Sequence, residues 1–289
     1  MTTLVTLTGT GVPHPSPGRA GAGTLVRYGD VALQFDAGRS TVLRLTEAGL
    51  RPYALTALFL THIHSDHVVD LADLAMTRWV EQQLHPTGPL TVVCAEGHCE
   101  RFARAVFEPY STDIAVRMAH VQPVGPEIDV RAFPLPAVPT EVWRSTDGAV
   151  RVESVLVHHE PVEEAVAFRV TTPDGVVVIS GDTRVCAEVE DLARGCDVLV
   201  HEACRTTPLR DAVAGSIFER IFEYHADSVA LGGLAARAEV GHLLLTHLIP
   251  PPRDDAASAA FEGDVRAGGY SGPVTVGEDL VTVALGDDA

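Results

Sequence analysis

Four stretches of this sequence repeat one arrangement: a short apolar run, then at once residues that bind metals or move protons. They are LFLTHIHSDH at 58–67, SVLVHH at 154–159, VVVISGDT at 176–183 and HLLLTH at 242–247. Such short runs, rich in β-branched residues, read as strands covered on both faces. Strands of that kind need a layer on each side, which confines the chain to a layered α/β architecture. Their ends lie at a sheet rim, where loops can mount chemistry on a rigid scaffold.

The rest of the chain fills in those layers. Strands are expected at 3–8, 24–28 and 31–35, with Gly29 and Asp30 as the hairpin turn between the last two. A helix follows at 40–49, a strand at 56–61, a helix at 68–84, a strand at 90–94 and a helix at 98–108. Two further strands are placed within 114–133, and three prolines keep 134–139 out of any helix. Strands at 149–157, 165–171 and 176–180 precede a helix at 187–194 and a strand at 197–201. Helices at 209–223 and 227–238, a strand at 242–246, a helix at 255–262 and a strand at 279–285 complete the chain. No repeat or linker divides it, so residues 1–289 are read as one domain.

Composition removes several classes of function. Hydrophobic residues make up 46% and charged residues 21%, as in a folded globular chain. No apolar run approaches the roughly 20 residues of a membrane span, and the first residues, MTTLVTLTGTG, carry no secretory signal. A cytoplasmic protein without a membrane partner is expected. The five cysteines are scattered and contain no CxxC pair, which argues against both a disulfide framework and a cysteine–zinc ribbon. The formal net charge is −18, opposite in sign to the electrostatic footprint of a nucleic-acid-binding surface.

The densest cluster is His62, His64, Asp66 and His67, four potential ligands within six residues. In a turning loop, alternate positions converge, and imidazole and carboxylate are groups that zinc accepts at about 2.0–2.2 Å. Together with Asp36 in FDAG, His159, Asp182 in SGDT and His247 in LTH, this loop resembles the metallo-β-lactamase superfamily. The similarity runs from the GTG at 9–11 to the end. SGDTR at 180–184, CDVLVHEA at 196–203 and YHADS at 224–228 make it most similar to the ribonuclease Z and arylsulfatase-like branch.

The resemblance implies a four-layer αββα sandwich in which two mixed β-sheets pack face to face with helices outside. It implies two Zn2+ per chain, with Mn2+ or Fe2+ as alternatives. His62, His64 and His159 would hold one ion, Asp66, His67 and His247 the other, and Asp182 would bridge them. Two neighbouring cations lower the pKa of a shared water and stabilise a developing oxyanion. Asp36 would orient the ligand loop. His159 rather than His158 is the expected ligand, because the family's segment ends ten residues later at an Arg, here Arg169. Asp66 would act in catalysis as well as binding. His225 would be the acid for the leaving group, with Glu202 orienting it. A homodimer is also implied.

Two enzymatic readings follow. The first is hydrolysis of a small-molecule phosphodiester, phosphate or sulfate ester by a metal-bridging hydroxide. The second is hydrolysis of a carboxylic ester, thioester or lactone on the same site. A non-catalytic metal-binding scaffold is a third reading, outside the enzymes. The presence of His225 and Glu202 favours the first. Ribonuclease Z itself commonly inserts a long tRNA-gripping arm between the positions of His159 and Asp182. Here only 22 residues lie between them, used up by two short strands around the turn 173–175. With the net charge, this leads to the expectation of a small-molecule substrate and no nucleic acid. Residues 76–88, 109–112 and 134–146 are expected to shape the substrate pocket, with Trp79, Tyr110 and Trp143 either lining an apolar wall or serving as core or dimer contacts.

Overall fold

A computed structural model of the chain describes residues 1–286; the last three residues of the expected domain lie outside the described residues. The first half forms β1 (Leu4–Gly9), β2 (Gly23–Tyr28), β3 (Val31–Phe35), α1 (Thr41–Glu47), β4 (Ala57–Leu60), α2 (Ser65–Val68) and α3 (Leu71–Glu81). It continues through β5 (Leu90–Ala95), α4 (His98–Arg104), α5 (Ser111–His120) and β6 (Ile128–Phe133). The second half begins with β7 (Thr140–Arg144), β8 (Arg151–Leu156), β9 (Val166–Thr172), β10 (Gly175–Ile179), α6 (Ala187–Ala193) and β11 (Val198–Cys204). It ends with α7 (Thr206–Val213), α8 (Ile217–Glu223), α9 (Ser228–Arg237), β12 (His242–Ile249), α10 (Asp255–Ala267), β13 (Val274–Val276) and β14 (Thr282–Ala284).

The strands form two seven-stranded sheets, ordered β14-β1-β2-β3-β4-β5-β6 and β13-β12-β11-β10-β9-β8-β7. Both are mixed. In the first, β14, β1, β2 and β3 pair antiparallel and β3 to β6 parallel. In the second, β7 to β10 pair antiparallel and β10 to β13 parallel.

Three apolar layers hold the sandwich together. Between the sheets, Phe35 and Phe59 stack at 4.8 Å and Phe168 from the opposite sheet tilts against both at 5.5 Å. Outside the first sheet, Leu58 and Leu60 of β4 meet Leu45, Leu71 and Leu74 of the helices. Outside the second, Leu243 and Leu245 of β12 meet Leu231, Leu234 and Phe261. Alternate residues of one strand thus face different apolar layers, which is why these runs are apolar throughout. This is the expected αββα sandwich.

Several element boundaries differ from expectation. Of the two strands placed within 114–133, the first is the helix α5. Ile114 and Val116 suggest a strand, but Ala115, Met118 and Ala119 favour a helix, and Asp113 and Arg117 pair at 2.9 Å one turn apart. The single helix expected at 209–223 is two helices, broken at Gly215, whose φ of 74° lies in the left-handed region. Two edge strands, β7 and β13, were not foreseen. Among the described residues, no helix is long and apolar enough to cross a membrane.

Candidate metal centre and active site

The nine expected site residues meet at one rim of the sandwich. His62, His64, Asp66 and His67 follow β4, His159 follows β8, and Asp182 follows β10. Glu202 lies in β11, His225 just before α9, and His247 in β12. The strand β12 needs a local irregularity to deliver its residue. Glu202 pairs with Thr246 but Ala203 with Leu248, so His247 is an extra residue, held at a φ of 43°. Bulges re-aim side chains in this way, and this one turns the imidazole into the cluster. Gly181 presents Asp182 from a φ of 60°; a Cβ there would come within 2.8 Å of the Thr61 side chain.

Three overlapping groups of ligand atoms result: His62, His64, His159 and Asp182; Asp66, His67 and His247; and His159, Asp182, Glu202 and His225, in which Glu202 and His225 hydrogen-bond to each other. Asp182 touches the first two: its carboxylate lies 3.9 Å from the Nε2 atoms of His62 and His159 and 3.4 Å from those of His67 and His247. His247 Nε2 is 3.2 Å from Asp66. All seven residues of the first two groups are buried except the half-exposed His64.

Hydrogen bonds behind the ring atoms decide which nitrogens are bare. Thr61 gives its hydroxyl proton to Asp36 Oδ2 at 2.8 Å, so His62 Nδ1, 3.0 Å from Thr61 Oγ1, must donate to that hydroxyl oxygen. His159 Nδ1 faces the carbonyl of Tyr224 at 3.2 Å and must also donate. His62 and His159 therefore carry lone pairs on Nε2, and both aim at His64 Nδ1, at 3.0 and 3.1 Å. One proton at most can lie among these three nitrogens, so they suit a cation. Their spacing is close to the roughly 3.3 Å edge of a tetrahedron with zinc–nitrogen bonds. In the second group, His67 Nδ1 contacts Asp36 at 2.7 Å, while His67 Nε2 and Asp182 Oδ1 are buried without hydrogen-bond partners. Buried, unpaired polar atoms of this kind are costly unless an ion satisfies them. The residues fit a metal centre.

Electrostatics follow from the same packing. Burial, assisted by neighbouring histidines, holds His62 well below the usual range and His159 down to about 4, both neutral and free to coordinate. Burial works against ionising Asp66, but His67 and His247 overcome it and bring its carboxyl to about 2. Burial also opposes a charge on His225; the Glu202 carboxylate, 2.8 Å from Nδ1, outweighs it and raises that imidazole to about 9. Glu202 is itself fully buried, fixed by the Thr183 amide at 2.7 Å.

His158 and His159 are separated cleanly. His159 stands in the cluster, whereas His158 is half-exposed, 3.3 Å from Glu188 and 3.7 Å from Glu160. Asp36 accepts hydrogen bonds from the Thr61 amide and hydroxyl and from His67, bracing both ends of the ligand loop. Of the two alternatives for the aromatics, the tryptophans take the core one. Trp79 and Trp143 are buried in the interior, and Tyr110 borders a separate cavity away from the metal cluster. The cavity above the cluster is walled instead by α7 and α8, through Leu209, Val213, Phe218, Ile221 and Phe222. Reading 209–223 as one continuous helix hid that wall, because its apolar stripe then looks core-facing.

Fold and site together define a metal-dependent hydrolase acting on ester bonds. The chain belongs to the metallo-beta-lactamase superfamily, whose family model matches residues 17–230. It is 38% identical over 277 residues to a ribonuclease Z of Mycobacterium sp. (strain KMS), covering 91% of this chain and 93% of that protein. It is 37% identical to a ribonuclease Z of Mycolicibacterium paratuberculosis (strain ATCC BAA-968 / K-10), covering 97% and 98%. Among solved structures, the metallo-beta-lactamase fold protein YhfI of Bacillus subtilis superposes with a TM-score of 0.73 at 20% identity, covering 98% of this chain and 100% of that one. The short form of human tRNase Z superposes with a TM-score of 0.68 at 20% identity, covering 98% and 99%.

These relatives overturn the expectation of a small-molecule phosphodiester, phosphate or sulfate ester as substrate, and that of no nucleic-acid partner. Both rested on net charge and on the short connection between His159 and Asp182. Net charge averages the whole surface, whereas a strand of RNA meets only the mouth of the site. The relatives named ribonuclease Z are also of nearly this chain's length, so a long inserted arm is not a condition of the name.

Proposed function

We propose that this protein is a ribonuclease Z-type endonuclease, hydrolysing a phosphodiester bond in precursor tRNA to release its 3′ extension. The observation that carries the reading is the near full-length similarity to ribonuclease Z, joined to a His225–Glu202 pair set beside the metal cluster. His62, His64 and His159 would hold one ion, Asp66, His67 and His247 a second, with Asp182 shared. When bound, two ions supply Lewis-acid stabilisation and an ionised water at neutral pH. Zn2+ is the ion that this nitrogen-rich set suits best. A cytoplasmic site of action and a homodimer belong to the same reading.

The chain's own residues supply the remaining steps. Asp36 keeps the proton of His67 on Nδ1, and Tyr224 and Thr61 do the same for His159 and His62, so each Nε2 is pre-oriented. His225 donates its Nε2 proton to the departing oxygen, and Glu202 holds the imidazole in the tautomer and charge state that allow it.

Metal content tests the assignment of residues. His159→Ala should lose metal by elemental analysis while His158→Ala retains it, and the reverse would exchange their roles. Precursor tRNA with a 3′ extension, incubated with protein loaded with Zn2+, Mn2+ or Fe2+, tests the activity. No site-specific cleavage with any of the three would remove the ribonuclease reading.

A further inference from the structure

We infer that the apolar cleft beneath α7 and α8 is a base-binding subsite, seating the unpaired nucleobase of a nucleotide that adjoins the scissile phosphate. The inference rests on the ribonuclease reading and adds to it where the substrate is gripped.

The cleft has a volume of about 540 Å³ and is continuous with the metal cluster: His64, Asp182, His225 and His247 form its floor. A group lodged in it would lie against side chains that would hold the ions. Its walls are almost entirely apolar, with Leu209, Val213, Phe218, Ile221 and Phe222 on one side and Val12, Pro13 and Ile249 opposite. Phe218 remains 45% exposed, and α7 contains no buried residue. Exposed apolar side chains gathered on a concave wall, next to a site for anions, mark a ligand that is charged at one end and apolar at the other. Along a single strand of RNA, the apolar surface beside each phosphate is the face of a base. Stacking on an aromatic ring accepts any of the four bases, which suits an enzyme facing extensions of varied sequence.

The rim is consistent with this. Arg253 borders the cleft, and also a neighbouring one lined by Asp254, Asp255, Glu278 and Asp279; it makes no ion pair within 4.0 Å among the described residues, so its guanidinium can turn to a backbone phosphate. The hood is also fastened to the acid. Asp227, two residues after His225, accepts hydrogen bonds from the amide and hydroxyl of Thr207 at 2.8 Å, and α8 ends one residue before Tyr224. A base seated under α7 and α8 would thus be registered against His225.

The test uses the full-length, zinc-loaded protein and precursor tRNA carrying an abasic nucleotide on either side of the scissile bond. Removing the base at one of these positions should lower kcat/KM by about 10- to 100-fold, the loss expected for one stacked base. Phe218→Ala should lower kcat/KM on the unmodified substrate and shrink that abasic penalty, while Phe218→Trp restores both. With 2-aminopurine at the sensitive position, fluorescence should be quenched on binding the unaltered protein and not on binding Phe218→Ala. If unmodified precursor is cleaved but neither abasic substitution matters and 2-aminopurine stays bright, the cleft does not hold a base, and the ribonuclease reading stands without it. If no precursor is cleaved, the reading itself fails, and this inference with it.

Discussion

At the scale of single residues, the proposed roles give metal binding and proton movement to different side chains. His225 contacts Glu202 rather than a bare imidazole lone pair, and its assigned task is to protonate the departing oxygen. General acid catalysis contributes typically 10²–10⁴-fold. His225→Ala should therefore slow cleavage of RNA, whose alkoxide leaves poorly, by a factor in that range. It should slow a nitrophenyl phosphodiester far less, since nitrophenolate leaves without a proton; equal losses on both would reduce His225 to a structural part. Glu202→Gln gives the pH-dependent counterpart. The carboxylate raises the pKa of His225 and so keeps the acid protonated; without that charge the pKa falls. The alkaline limb of the pH–rate profile should then move to lower pH with little change in metal content. An unmoved limb would mean that another group sets it.

Among elements, the packing that supports the site has little tolerance. The helices α9 and α10 cross at Gly232 and Gly268. A Cβ on Gly232 would stand 2.1 Å from the carbonyl oxygen of Val265, a backbone atom that cannot step aside. Gly232→Ala should destabilise the protein by about 1–3 kcal/mol, as overpacking does, despite the better helix propensity of alanine. Thermal unfolding measures this, and an unchanged or raised Tm would show that the helices separate freely. The elements themselves were largely legible where periodicity and chemistry agreed, as in the four ligand-bearing strands. They were not legible where two propensities competed, as in α5, or where an edge strand such as β13 is only three residues long. In those places, tertiary partners rather than local preference decide the outcome.

For the molecule as a whole, charge and function are reconciled by position. The formal net charge is −18, yet Arg253 borders the cleft beside the ligand cluster, and Arg220 and Arg184, the latter 3.5 Å from Glu160, line a neighbouring cleft that shares Tyr224 with it. Few phosphate contacts are available, so binding of single-stranded RNA should depend weakly on salt. The slope of log K against log salt should be about −2, from three contacts at roughly −0.7 each. Fluorescence anisotropy across a salt series measures it. A slope several-fold steeper would require a broad basic face that this chain does not have.

The sequence by itself determined the layered fold and pointed to the dense ligand loop at 62–67, because both are written locally, while the rest of the expected ligand set came from the family resemblance. Buried strands must be apolar, and a loop of four ligands in six residues keeps them close however the rest of the chain packs. The same resemblance, through the family's spacing to an Arg here at Arg169, favoured His159 over His158 as ligand. Only the tertiary structure decided how distant segments meet. Asp182 stands between the two ligand groups, Thr61 and Tyr224 set the imidazole protons, and a bulge in β12 aims His247 inward. The cleft under α7 and α8 belongs to the same class, since no stretch of sequence records which loops will face it. The proposed substrate surface is assembled from the loop after β1, from α7 and α8 and from β12 only after the chain has folded, and net charge, a sum over every residue, carries no information about a surface so local.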